Sequence, residues 1–219
     1  PVEENFDVYA YWADQPAGSD FTEGTTYIGI EGPAEEFTNK GNYWGGVTTY
    51  FWPKNGSLRF AAYSPSNVNM AHDLATDTYT VAEYTQPSNT AKTWDLLVAP
   101  TSKSYTSMTA AENVSVVFEH ALSWITVKVV AKDVEAAKAF DIKKVTINNV
   151  NTKANFAVKM GDGIQYEERM GQNTPASYVV FEGSQRVTET STAIESTEAG
   201  TIVIPQATTT VTVDFTQYG

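Results

Sequence analysis

The stretch Val114-Ser115-Val116-Val117-Phe118-Glu119-His120-Ala121-Leu122-Ser123-Trp124-Ile125-Thr126-Val127-Lys128-Val129-Val130 alternates in side-chain character almost throughout. In an extended chain, Val114, Val116, Phe118, His120 and Leu122 fall on one face. After Ser123-Trp124 the alternation resumes with opposite parity through Ile125, Val127 and Val129. Period two marks a half-buried β-strand, and a one-residue parity slip turns every later side chain to the other face. The slip near Ser123 therefore predicts a bulge or a passage from one sheet to another. The domain junction is placed there, giving an N-terminal β-sandwich over 1–123 and a C-terminal β-sandwich over 124–219.

Working outward, the same habit recurs. Phe6 to Trp12 reads as a first strand and Thr25 to Ile30 as a second, ended by Gly32-Pro33. Val47 to Trp52 and Leu58 to Tyr63 flank Pro53-Lys54-Asn55-Gly56-Ser57, and an Asn-Gly between two such runs predicts a hairpin. Asn67 to Thr93 is polar, with one edge strand expected around Tyr79 to Tyr84. Asp95 to Ala99 is a compact strand stopped by Pro100. Further strands are expected over Lys143–Val150, Ala154–Lys159, Ser177–Glu182, Gly200–Pro205 and Thr209–Thr216. Asn148-Asn149 and Gly161-Asp162-Gly163 read as turns, and residues 184–199 as an exposed loop. Helical periodicity is confined to Val134–Phe140. Short strands separated by turn signals, with no fixed-period repeat, point to an all-β chain of two tandem antiparallel β-sandwich domains.

Composition agrees. The chain of 219 residues carries 29 Thr, 12 Tyr, 10 Phe and 5 Trp, types that suit a pleated and partly buried surface. With 14 Lys+Arg against 26 Asp+Glu, the net charge is 14 − 26 = −12, which opposes nucleic-acid phosphates and anionic lipid. The absence of Cys removes disulfides, thiolate zinc sites, iron–sulfur clusters and cysteine nucleophiles together. The chain opens on Pro1 without an initiator Met, which reads as a mature or trimmed form.

Catalytic chemistry finds little foothold, and no enzyme is expected. Nucleophilic mechanisms need an activated hydroxyl or thiol with a base in reach, but the chain has only His72 and His120 and no Gly-x-Ser-x-Gly elbow. His120 falls in line with Val116, Phe118 and Leu122 and reads as a hydrogen-bonded core histidine. His72 sits in a polar stretch with no ligand set around it. Met160-Gly161-Asp162-Gly163 lacks the spaced acids of a calcium loop, so no metal is expected. The pairs Glu3-Glu4, Glu35-Glu36 and Glu167-Glu168 are adjacent, and on a strand adjacent carboxylates point to opposite faces. No glycine-rich phosphate loop opens a helix, and no cofactor is expected. The aromatic cluster Tyr43, Trp44, Tyr50, Phe51 and Trp52 admits two readings: hairpin core, or a sugar-stacking platform carried by Tyr43, Trp44 and Trp52.

Four segments, in this order, resemble one family. Thr49-Tyr50-Phe51-Trp52-Pro53 with Leu58-Arg59-Phe60-Ala61-Ala62-Tyr63-Ser64-Pro65 is similar to its aromatic "y-y-W-P … L-x-F-x-A-Y-x-P" segment. Asp95-Leu96-Leu97-Val98-Ala99 resembles its "D-L-hydrophobic-hydrophobic-A" strand. Val116 to Leu122 resembles "V-x-L-x-F-x-H-x-L", and Ile202-Val203-Ile204-Pro205-Gln206 resembles "l-l-I-P-Q". Across roughly residues 6–216 the chain thus resembles the fimbrillin (Mfa-like) family of Bacteroidetes pilus subunits and surface lipoproteins.

The resemblance implies transthyretin-like sandwiches and a cell-surface, outer-membrane or fimbrial location. It also implies export as a lipid-anchored precursor whose lipid-bearing Cys and a further strand lie upstream of Pro1. The implied partners are other pilus subunits, joined by strand exchange, and host or bacterial surface receptors. A carbohydrate-binding surface module is the alternative function. No catalytic residue is implied.

Overall fold

The computed structural model describes residues 5–30, 33–86, 95–109, 113–133, 135, 137, 140–161, 164–169, 174–190, 192–194, 201–206 and 209–217. Among them the first nine strands are β1 (Phe6–Ala13), β2 (Thr25–Ile28), β3 (Glu35–Asn39), β4 (Trp44–Gly45), β5 (Ser57–Ser64), β6 (Met70–Asp73), β7 (Thr78–Thr85), β8 (Leu97–Ala99) and β9 (Glu119–His120). The remainder are β10 (Ser123–Ile125), β11 (Lys128–Val129), β12 (Phe140–Asn151), β13 (Lys153–Lys159), β14 (Gln165–Arg169), β15 (Pro175–Arg186), β16 (Thr192–Ala193), β17 (Thr201–Val203) and β18 (Thr210–Gln217). The fold is all-β with antiparallel sheets. Of the expected 134–140 helix, Glu135 and Ala137 are helical, and Ala137 N–H donates to Asp133 O at 3.0 Å. Val134, Ala136, Lys138 and Ala139 lie outside the described residues, and Phe140 already opens β12.

Contacts divide the chain into two compact units. One gathers Pro1–Tyr84, Asp95–Ala121 and Asn155–Met170; the other gathers Thr85–Trp94, Leu122–Ala154 and Gly171–Gly219.

In the first unit a seven-stranded sheet, ordered β4-β3-β1-β5-β8-β9 with β2 also on β1, faces a four-stranded sheet ordered β14-β13-β7-β6. The alternation of β1 explains its central place. Tyr9 and Tyr11 turn toward the smaller sheet, where Tyr9 donates to Met70 O at 3.0 Å and Tyr11 meets His72. Phe6 and Val8 turn the other way, into a cluster with Ala62 and Ala99. β1 is hydrogen-bonded to β3 and β2 along one edge and to β5 along the other, and Phe6 through Tyr11 are all buried. Between the sheets, the Tyr79 hydroxyl donates to Ala99 O at 2.6 Å and accepts from Ala62 N at 2.9 Å.

The hairpin expected around Asn55-Gly56 does not form. β5 pairs with β1 along one edge, from Ala13↔Ser57 to Asp7↔Tyr63, and with β8 along the other. No edge of β5 is left for Val47–Trp52, which forms no strand. Asn55-Gly56 still turns, with Gly56 at φ 73° and Asn55 O accepting Trp12 Nε1–H at 2.9 Å. The polar stretch after Asn67 contains β6 as well as the expected strand, and that strand, β7, is interior to its sheet. Residues 87–93 of that stretch lie outside the described residues.

The second unit is built on β12, which lies between β15 and β18. Its buried apolar residues are Ile142, Val145, Ile147 and Val150, spaced three, two and three apart, and Asp141 is buried beside them. A step of three changes face under strict alternation, so Val145 and Val150 would each fall opposite the buried residue before them. Register shifts in the β15 pairing between Ile142/Lys144 and between Ile147/Val150 restore them, and Asn149 at φ 58° sits in the second shift. Asn148-Asn149 is thus an irregularity inside a strand, where a turn was expected. Ile125, Val127 and Val129 pack on this core as their parity predicts, while Val116 and Phe118 pack on the first unit's cluster. The expected loop 184–199 is also corrected: β15 runs to Arg186, and Val187 and Ile194 are buried in the core. Residues 191 and 195–200 lie outside the described residues, as do Asp162 and Gly163 of the expected glycine turn.

Candidate functional site

The face of the seven-stranded sheet that turns away from its partner sheet is largely apolar, with Glu35 of β3 standing on it beside Val8. Paired residues of neighbouring strands share a face, so Phe6↔Phe37, Val8↔Ala62 and Ala10↔Phe60 lay an unbroken apolar strip across β3, β1 and β5. Over that strip runs a groove of about 1160 Å³. Its two walls are the stretches Thr48–Trp52 and Val114–Phe118, both of strand-like composition. Neither is paired into a ladder among the described residues.

Aromatic rings fill the floor and rim. Phe6 lies 5.4 Å from the ring of Phe118 and 5.1 Å from that of Trp44, centroid to centroid. Trp52 meets Phe60 edge-on at 6.1 Å. The structure therefore brings Tyr43, Trp44 and Trp52 to one groove, though in different roles. Trp44 and Trp52 are half-buried with rings packed toward the sheet, whereas Tyr43 is 62 % exposed at the rim. Phe51 is 78 % exposed and Val47 90 %, apolar side chains left in water beside the groove.

The Thr48–Trp52 wall is fastened by side chains. Glu35, paired with Val8 in the ladder, accepts Thr48 N–H at 2.8 Å on Oε1 and the Tyr50 hydroxyl on Oε2. That bond to Glu35, and then partial burial, hold the Tyr50 hydroxyl above its ordinary pKa. The Tyr27 hydroxyl donates to Phe51 O. Glu36 points to Asn5 and Ser66, so the Glu35-Glu36 carboxylates do go to opposite partners. The sequence signal for this fastening is slight: Glu35 and Gly46 stand out only once the fold brings them together.

The two histidines exchange the roles expected of them. His120, in the two-residue edge strand β9, has a side chain 73 % exposed at the groove's end and pairs with Asp95. The face carrying Val116 and Phe118 does point inward, but the chain reaches the sheet only at Glu119, too late to cover His120. His72 is the buried one. Its Nδ1 lies 2.8 Å from the Tyr11 hydroxyl and its Nε2 3.0 Å from Asp77 Oδ1. A carboxylate only accepts, so Nε2 carries the proton and Nδ1 accepts from Tyr11. Thr101 Oγ1 is 3.2 Å from His72 Nε2 and donates to Asp77 Oδ1 at 2.6 Å. The hydroxyl and the imidazole thus both donate to one carboxylate, which ties β6 to the turn before β7 and to the segment after β8. Among the described residues no group of three His, Cys, Asp or Glu is placed to hold a metal ion.

A family model described as fimbrillin-like matches residues 2–219. The chain belongs to the fimbrillin-like family. That family is one of pilus- and adhesion-related proteins at the cell surface, and the role of this fimbrillin-like chain is of that kind. In fold the chain is similar to a structure described as a putative cell adhesion protein from Bacteroides uniformis ATCC 8492. The two share 18 % identity over 96 % of this chain and 72 % of that one, with a TM-score of 0.52. A second structure, described as a putative cell adhesion protein from Bacteroides ovatus ATCC 8483, shares 15 % identity over 99 % of this chain and 76 % of that one, with a TM-score of 0.45. None of the curated proteins matches the chain.

Proposed function

We propose that this fimbrillin-like chain is a structural or adhesive pilus subunit that assembles with other subunits by strand donation. An extended strand of a second copy lies in the groove over Phe6, Val8 and Phe60, between the two unpaired walls. The observation that carries this reading is the juxtaposition of an apolar sheet face with two strand-like stretches lacking a ladder among the described residues. An incoming strand gains main-chain hydrogen bonds from such walls, while every second side chain sinks into the groove. The two compact units are read as two sandwich domains. Export as a lipid-anchored precursor to the outer surface, and contact with host or bacterial surface receptors, belong to the same reading.

The test uses the full chain and a fluorescent peptide copying Thr209–Gln217. That segment is the probe because Val211, Val213 and Phe215 alternate along β18, and Val211 and Phe215 are largely exposed. Saturable binding that Val116→Asp abolishes supports strand acceptance. The absence of binding, with no slower-exchanging amides in either wall, refutes it.

The exposed ring of Tyr43 beside Trp44 and Trp52 favours a second reading, a carbohydrate-binding surface module. Retention of a saccharide on a glycan array, lost in Tyr43→Ala, would support that reading.

A further inference from the structure

The Gly46–Trp52 stretch has the composition of a strand, the exposure of a loop and the fastening of neither. A loop with Val47 at 90 % and Phe51 at 78 % exposure keeps apolar surface in water at a cost. A strand would have a ladder, but this stretch is held by Glu35, which takes the Thr48 amide and the Tyr50 hydroxyl, and by Tyr27, which takes the Phe51 carbonyl. Gly46 lies directly against the latch. A Cβ there would come within 2.2 Å of Glu35 Oε1, so any larger residue obliges the Glu35 carboxylate to shift.

We propose that Gly46–Trp52 is a strap latched by Glu35, and that it converts to a β-strand by pairing with the strand that enters the groove. The proposal rests on the strand-accepting reading, with a strand of a second copy as occupant, and adds to it a second ladder and a residue that sets its position. The free protein holds the strap at the groove wall by the Glu35 carboxylate at its start and by the Tyr27 hydroxyl at Phe51. On entry of the strand, the main chain of Thr49–Phe51 gains partners and the apolar side chains beside it gain cover. Glu35 is a positioning residue: it fixes where the second ladder begins.

Hydrogen exchange on the full chain, with and without the Thr209–Gln217 peptide, tests this. Pairing slows exchange of the Thr49–Phe51 amides by about tenfold or more on peptide binding. Glu35→Gln keeps one acceptor oxygen and loses the other, so strap exchange in the free protein rises about tenfold, and the peptide dissociates several-fold faster. Gly46→Ala reproduces both effects without touching the carboxylate chemically, and Tyr50→Phe gives a smaller change because Thr48 keeps its acceptor. Thermal melts confirm that each variant is folded. Peptide binding with protection confined to Val114–Phe118 overturns the strap while leaving strand acceptance standing. Absence of peptide binding removes both, and is recognised by the missing fluorescence signal. Unchanged dissociation in both Glu35→Gln and Gly46→Ala overturns the latch.

Discussion

His72 Nδ1 lies 2.8 Å from the hydroxyl of Tyr11, joining β6 of one sheet to β1 of the other across the first unit. The imidazole side chain is wholly shielded, and its other nitrogen is bound to Asp77, whose carboxylate also takes the Thr101 amide and hydroxyl. Removing the ring strands several polar groups at once. His72→Ala is expected to lower unfolding stability by about 2–4 kcal/mol, whereas His120→Ala, at an exposed ion pair, changes it by less than about 0.5 kcal/mol. Urea titrations of the two variants decide this, and equal losses would contradict the placement of the histidines.

Asp7 and Asp77 predict opposite responses to pH. Burial of Asp7, helped by the nearby Glu36, raises its carboxyl from 3.8 to about 6 despite a hydrogen bond from Tyr63. Between those values the folded chain holds a proton that the unfolded chain has released, so stability falls as pH rises from about 4 through 6. Asp7→Asn is therefore more stable than the parent near pH 7, by roughly 2–3 kcal/mol, and the gap closes toward pH 4. At Asp77 burial also pushes upward, but the bonds from His72 and Thr101 outweigh it and leave the carboxyl below its ordinary value. Its contribution is present at neutral pH and is lost in acid. Denaturant titrations from pH 3 to pH 7 separate the two, and pH curves parallel to the parent's for both Asn variants would disprove the assignment.

Tyr79 is fully buried and binds main-chain groups of both β5 and β8 through one hydroxyl. Tyr79→Phe keeps the ring and leaves the Ala62 amide and the Ala99 carbonyl short of a partner, a cost of about 1–3 kcal/mol. Thermal unfolding of the variant should show the loss; a melting temperature equal to the parent's would mean that water takes over the hydroxyl's place.

Gly56 has φ 73°, and a Cβ there would stand 2.3 Å from Ala13 O and 2.7 Å from Trp12 Nε1. Both neighbours are fixed, the first by the β1–β5 ladder and the second by its bond to Asn55 O. Gly56→Ala is expected to cost about 2–4 kcal/mol and to change the fluorescence of Trp12. A variant as stable as the parent, with an unaltered emission spectrum, would show that the turn relaxes freely.

Ile194 is 1 % exposed in the core of the second unit, packed within the cluster that holds Val145 and Ile147. Ile194→Ala is expected to destabilise that unit by about 2–4 kcal/mol, as cavities in a packed core do. Differential scanning calorimetry would detect it. A change below 0.5 kcal/mol would return this segment to the surface.

Most strand positions were legible because alternation is a local property: β1, β5, β13 and β18 lie where their apolar periods put them. The errors share a cause. Val47–Trp52 and Val114–Phe118 have strand composition, yet a ladder needs a free neighbour, and β5 and β8 have none to give them. Asn148-Asn149 has the composition of a turn because positive φ is common in turns. The same conformation also resets parity within a strand. Of the candidate site, the aromatic residues were visible in advance, while Glu35, Gly46 and the apolar floor of Phe6, Val8 and Phe60 emerge only from strands distant in sequence.

The 219 residues by themselves determined an all-β chain without thiol chemistry, its inward faces at Val116, Phe118, Ile125, Val127 and Val129, and its likeness to fimbrillins. These follow from side-chain type and period two, which one stretch of chain expresses alone. Only the tertiary structure decided that His72 is enclosed and His120 exposed, and that two strand-like stretches border a groove over the apolar sheet face. Burial and pairing depend on which surface another segment occupies, and that is settled by strands as far apart in sequence as β1 and β9.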